Sequence, residues 1–299
     1  MSSRKETTIN SLPDYVRKIS AIKEPPVVAM SKNTLVYRGL SYKGYDLMPS
    51  LGRLPEERRM NQYVSKEAIL IEQAQLRFPH IFCDDPFPVI KLAKLQHYGI
   101  PTRLLDVTTN ALVALYFACQ NSGMYPEEDG MVIVISDYMY SAYDAWVNAI
   151  ADTHFLTRNA VSSVRDYCSR LSGSHYFSRV KYEEQNNNVI CERFMKYSRK
   201  PLLVNAGSLT ERQKNQHGKF LIFPNRIIGK KNSAKIDDDI EPLKYSSRCI
   251  IKKLTIPHKE KAAILDQLRR FGVTEDFLFA DDVDKVNASI KREISELYH

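Results

Sequence analysis

Between Leu92 and Gln120 the chain reads LAKLQHYGIPTRLLDVTTNALVALYFACQ, and this stretch constrains the fold more than any other. Its second half, Ala111–Cys119, is an apolar helix with Thr108, Thr109 and Asn110 as its cap. Its first half places a His, a Tyr, a Thr, an Arg and an Asp within the ten residues from His97 to Asp106. Gly99 and Pro101 fix the turn there. So many polar groups beside a buried helix either brace a junction or line a pocket.

The 299 residues suffice for one large domain or two small ones, with a substantial core. The 17 Tyr outnumber the 12 Phe, a bias toward half-buried sites with a polar tip. A formal charge of +8 favours anionic partners such as nucleic acid, a nucleotide or an acidic protein, or else describes a solvated basic surface. The five Cys are scattered without CxxC spacing, which suggests free thiols in a reducing cytoplasm. The opening MSSRKETTINSLPDY has no apolar core, so no signal peptide is expected. No stretch approaches the roughly 18 apolar residues of a membrane span, so no membrane partner is expected.

Residues 1–27 read as a loosely held arm, with a short helix at 12–22, ahead of one domain over 28–299. Strands are expected at 34–40, 131–136, 219–224 and 248–257. Helices are expected at about 65–78, 89–97, 111–119, 258–271 and 282–298. Residues 137–199 read as a helical insertion packed on the sheet, broken near Gly173 and Asn186–Asn188. The expected class is α+β, a small sheet with flanking helices.

The signatures of nucleotide loops, zinc proteases and serine hydrolases are absent, and the seven dispersed His give no reason to expect a metal. Three places carry chemistry. Tyr37-Arg38-Gly39 ends a strand, where a guanidinium suits phosphate or ribose oxygens and Gly39 permits close backbone approach. The other reading pairs Arg38 with a carboxylate such as Glu72. In the second place Asp106 holds Arg103, Arg103 and Thr102 face an anion, and His97 and Tyr98 offer a ring for stacking. Chemistry alone favours the plainer reading, a salt-bridged helix junction with Asp106 as an N-terminal cap and His97 as a satisfied core residue. In the third, ERQKNQHGKFLIFP, Arg212 and Gln216 share a helix face beside Gly218, or form a polar turn before an edge strand.

Together the three places resemble the FRG domain family, named for a Phe/Tyr-Arg-Gly element. QHYGIPTRLLDVT is similar to that family's second block, ERQKNQHGKF to its third, and the segment from Ile256 to Asp282 to its C-terminal helix and ending. Val107 stands where the family has Trp. The family resembles divergent ADP-ribosyltransferases of bacterial toxin and phage-defence systems. That implies a split β-sheet core with three motifs on separate strands around NAD.

The resemblance assigns Arg38 to the adenosine ribose or phosphate and puts Gln216 where transferases often carry a catalytic Glu. His97 is a further catalytic candidate. Tyr37, Gly39, Tyr98, Thr102, Arg103, Asp106 and Arg212 would bind or brace the co-substrate. Cleavage of the nicotinamide–ribose bond passes through an oxocarbenium-like state, which demands positioning and charge stabilisation and no metal. Gln is neutral, so Glu211 or Glu72 is a candidate for the missing charge. The expectation is a cytoplasmic NAD-dependent ADP-ribosyltransferase, a toxin or defence effector with an antitoxin or regulator as partner. Its acceptor is expected to be RNA or DNA. The alternatives are a nucleotide- or nucleic-acid-binding module without catalysis, or an NAD glycohydrolase. Lys181, Arg193, Lys196, Arg199 and Lys200 are the candidate nucleic-acid contacts.

Overall fold

The computed structural model describes residues 6–23, 27–28, 31–53, 66–82, 86–121, 123–154, 163–179, 186–207, 210–229 and 233–280. The helix expected at 282–298 and Lys181 lie outside them. The fold is α+β, built on one mixed eight-stranded sheet. Its strands are β1 (Glu6–Thr8), β2 (Thr34–Leu40), β3 (Leu104–Thr108), β4 (Gly130–Asp137), β5 (Met139–Ser141), β6 (Leu202–Asn205), β7 (Gly218–Ile222) and β8 (Ile250–Ile256). They lie in the order β1-β8-β4-β2-β3-β7-β6-β5, and only the edge pairs β1–β8 and β5–β6 are parallel.

The sheet is larger than expected, but it divides in the middle. Strands β2 and β4 pair over seven positions and β3 and β7 over five, whereas β2 and β3 meet only at Tyr37 and Thr108. The strands part beyond that point. On one side of the sheet the split also separates two apolar clusters. One gathers α1 (Leu12–Ser20), α5 (Ala111–Cys119) and α10 (His258–Arg270) over the β2-β4-β8 half. The other gathers α4 (Pro88–His97), α6 (Ala145–Ala151), α7 (Val164–Leu171) and α8 (Asn187–Tyr197) over β3, β7 and β6. A third cluster runs across the opposite side of both halves.

Strand β4 shows why its sequence does not alternate. Val132 and Val134 face the α5 cluster, and Met131, Ile133 and Ile135 face the opposite one. Both faces are buried, so MVIVI is apolar throughout. Strand β3 is not among the expected strands. It is buried at Leu104, Leu105, Val107 and Thr108 with only Asp106 exposed, for the same reason. Residues 6–21 also differ from a loose arm. Strand β1 pairs with β8, and Ile9 and Tyr15 have no exposed surface. The 137–199 segment is mostly helical among its described residues, as expected, and also supplies the edge strand β5.

Helix α5 is capped by Asn110, whose Oδ1 accepts from the Leu112 and Val113 amides. It rests directly on two glycines of neighbouring strands. A Cβ at Gly39 would lie 2.0 Å from the Ala114 carbonyl oxygen, and one at Gly130 2.0 Å from that of Ala118. Gly39 therefore admits the backbone of helix α5, and it also borders the cleft described below. Gly39→Ala is expected to cost about 3 kcal/mol or more in urea unfolding, since α5 must lift from the sheet. Gly123→Ala, which meets nothing within 4 Å, should change stability by less than about 0.5 kcal/mol. Equal effects of the two would remove the close approach as the reason for Gly39.

Candidate active site at the split in the sheet

Three sequence blocks converge where β2 and β3 part. From β2, Arg38 reaches across the gap and its Nη1 donates to the Asp106 carbonyl at 2.8 Å. From β3, Thr108 Oγ1 donates to the Gln216 carbonyl at 2.6 Å, and the Thr109 amide donates to that of His217 at 3.2 Å. His217 adopts φ 50°, so the chain turns tightly from helix α9 (Glu211–Asn215) into β7. The cleft so formed encloses about 40 Å³ and is bordered by Tyr37, Arg38, Asp106, Gln213, Gln216 and Phe220, among others.

Arg38 is the notable group. Its Nε is enclosed and has no hydrogen-bond partner. Burial holds its guanidinium below the usual value, Asp106 opposes this, and the nearby Arg53 adds to it. Arg53 was not foreseen. It follows the 3-10 turn Ser50–Gly52, and its Nε is anchored on the Met48 carbonyl at 3.1 Å. The pairing of Arg38 with Glu72 is not formed; the Asp106 carbonyl takes that place.

The second block braces this arrangement. Thr102 is buried and donates through Oγ1 to Gln96 Oε1, and Gln96 Nε2 donates to Asp106 Oδ1 at 2.9 Å. The Leu51 amide donates to the Thr102 carbonyl at 3.2 Å, which fixes the turn that carries Arg53. Gln96 opens the QHYG block and is the orienting residue that sequence reasoning passed over. Its signal was its place ten residues before Asp106, across a turn.

Several expected site residues lie elsewhere. Arg103 does not border the cleft and is not held by Asp106. It is 0 % exposed and paired with Glu67 of α2 (Glu67–Arg77) through both Nε and Nη2. Its Nη1 faces Asn225 Oδ1 at 2.8 Å and the Ile150 and Phe223 carbonyls at 3.3 Å. His97 and Tyr98 stack edge to face with each other, and Tyr98 also against Phe82. Neither borders the cleft, whose aromatic residues are Tyr37, Phe117 and Phe220. Arg212 sits over the Phe279 ring at 4.8 Å, pinning the third block to the C-terminal region. Gln216 borders the cleft but commits its Nε2 to the Leu278 carbonyl at 3.0 Å. Neither Glu211 nor Glu72 borders the cleft; among the described residues Asp106 is the carboxylate that does.

Among the described residues no three His, Cys, Asp or Glu side chains gather as a metal site, and no helix is long and apolar enough to cross a membrane. Fold and cleft together define an α+β protein with a small cleft at a break in its sheet, bordered by Arg38 and Asp106. Residues 33–125 match the family model of the FRG domain, and this segment of the chain is an FRG domain. The match contains the first two blocks, with Arg38 and Asp106, and ends before the third. No curated protein and no solved structure matches the chain.

Two measurements probe the buried brace. Glu67→Gln leaves the Arg103 charge uncompensated and is expected to cost about 3–5 kcal/mol by thermal or urea unfolding. An unchanged midpoint would mean that the pair contributes nothing. His154 lies beside this pair, and burial holds its imidazole below the usual value against the pull of Glu67 and Asp152. The folded protein therefore binds fewer protons there than the unfolded chain. The stability this concerns is complete above the unfolded value, near 6.5, and is lost as pH falls below it. The unfolding midpoint should drop between about pH 7 and pH 5, and His154→Gln should flatten that drop.

Proposed function

We propose that this protein is an NAD-dependent ADP-ribosyltransferase whose cleft lies at the split between β2 and β3. The observation that carries the reading is the enclosed, unpartnered Nε of Arg38 at the point where all three blocks meet. A buried donor without an acceptor costs about 1–3 kcal/mol, so an oxygen-bearing ligand there is favoured. The enclosed 40 Å³ fits one phosphate or ribose oxygen group and not a whole dinucleotide, so Arg38 acts as a clamp on part of the ligand. The charge of Arg53 acts on Arg38 and adds positive potential there. The ADP-ribosyltransferase-like fold is part of this reading, supported by three motif-bearing strands, β2, β3 and β7, side by side.

NAD brings an ADP-ribosyl group on a good leaving group, nicotinamide. The chain's own part is to hold and to stabilise charge. Arg38 and Arg53 attract the anionic portion. Gln216, with Nε2 bound to Leu278, retains Oε1 to accept from a ribose hydroxyl. Asp106, oriented by Gln96, supplies the negative charge that a neutral Gln cannot, and accepts the proton of the attacking group. The toxin or defence role and a neutralising partner rest on the family resemblance.

A second reading, a nucleotide-binding module without catalysis, is favoured by the neutrality and structural commitment of Gln216. Incubation with labelled NAD separates the readings. Label on a macromolecule means transfer, free ADP-ribose means hydrolysis, and neither means binding alone. Arg38→Ala is expected to abolish turnover with the fold intact. Asp106→Asn should lower kcat by about 100-fold or more, leaving NAD affinity within a few-fold. A kcat retained in Asp106→Asn would remove Asp106 from the chemistry.

A further inference from the structure

A second and far larger cavity, about 1130 Å³, opens beyond the other end of the β3–β7 ladder. It exceeds the roughly 300–1,000 Å³ of small-molecule pockets. Six cations border it, Arg193, Lys196, Arg199, Lys200, Arg226 and Lys244, against the carboxylates Glu192 and Glu241. Lys200 is fixed by Asp137, and Arg226 by Asp237. Among the described residues Lys196, Arg199 and Lys244 have no carboxylate partner, and all three are exposed. Ser198, 8 % exposed, lines the same cavity with an enclosed Oγ that has no hydrogen-bond partner.

Four of these cations come from one short run at the end of α8. The other two, Arg226 and Lys244, come from beyond β7 and from the segment before β8. Pro201, Pro224 and Pro242 also line the cavity and add apolar surface. Among the described residues that line the cavity none is aromatic. Spaced cations, an orphaned hydroxyl and apolar faces suit a chain with one phosphate per unit and a sugar between. We propose that this cavity holds the phosphate backbone of a single-stranded nucleic acid.

The position of the cavity extends the transferase reading, on which this step rests. From Gly218 at the cleft to Pro224 at the cavity is roughly 20 Å along an extended strand, at about 3.3 Å per residue. A mononucleotide does not span that length; a polymer held in the cavity can present a unit further along to the cleft. The bound strand is then the acceptor.

The test measures anisotropy of a fluorescein-labelled 20-mer of uridine, with a thymidine 20-mer, a 20-base-pair duplex and polyglutamate as comparisons. It is run without NAD over a salt series. The single strands are expected to bind, more tightly than duplex or polyglutamate. The triple variant Lys196→Glu, Arg199→Glu, Lys244→Glu should weaken them at least tenfold and reduce the salt slope by about 2, three phosphate contacts being lost. Circular dichroism checks that the variant is folded, and Arg38→Ala should bind strands as the wild type does. Unchanged affinity and slope in the folded triple variant overturn the proposal, and so does tighter binding of polyglutamate, which indicates an acidic protein. NAD turnover without strand binding also overturns it and leaves the transferase reading standing. Strand binding without NAD turnover supports the cavity while removing the transferase reading.

Discussion

Arg103 carries a full charge with no exposed surface, and much of the fold is arranged around that fact. A guanidinium in such a place is tolerated only if its donors are met, and stranding it costs several kcal/mol. Here a carboxylate from α2 meets one edge, and carbonyls from α6 and the end of β7, with the amide oxygen of Asn225, meet the other. The Phe223 amide returns a hydrogen bond to the Arg103 carbonyl at 3.0 Å. Four parts of the chain must therefore be in place together. Helix α6 belongs to the 137–199 insertion, so the insertion is structural and no removable accessory. Asn225 also forms part of the wall of the basic cavity. One buried cation thus supports the region from which both the cleft and the cavity are built.

Arg103 and Arg38, both in the FRG segment, divide the labour of their residue type. Arg103 is saturated and rigid, and its position sets the start of β3. Arg38 is left with an enclosed donor that nothing in the protein satisfies. The difference lies in the sheet. Arg103 enters the packed interior beside β3, whereas Arg38 lies where β2 and β3 no longer pair. A continuous ladder there would have closed the gap and removed the space in which a ligand oxygen can be met.

Most of the helices and the long strands were legible in the sequence, because caps, glycines and apolar periodicity are local signals. Asn110 and the apolar run after it announce α5, and Gly99 with Pro101 announces the end of α4. Strands β3 and β6 were not legible, since LLDVT and LLVN are short and buried without alternation. The convergence of Arg38, Asp106 and Gln216 followed from the resemblance and not from any local pattern. The partner of Arg103 was hidden for a simple reason. Glu67 lies 36 residues away on another helix, and no spacing rule reaches that far. Likewise the sequence states that Tyr98 is aromatic, but not that it points outward, 58 % exposed, away from the cleft.

Strand β1 lies at the sheet edge beside β8, and Thr255 bonds Glu6 across 249 residues of chain. Closing a loop of that length costs about 5 kcal/mol of chain entropy before the contact returns anything. Three register pairs and the burial of Ile9 and Tyr15 have to offset that cost. The edge pairing therefore needs β8 in place before it returns any stability. During synthesis on the ribosome β8 emerges long after β1, which waits unpaired for its neighbour. Slow, late docking of residues 6–20 sets a period in which the far edge of β8 is bare, and in that window the chain is most exposed to pairing with another copy of itself.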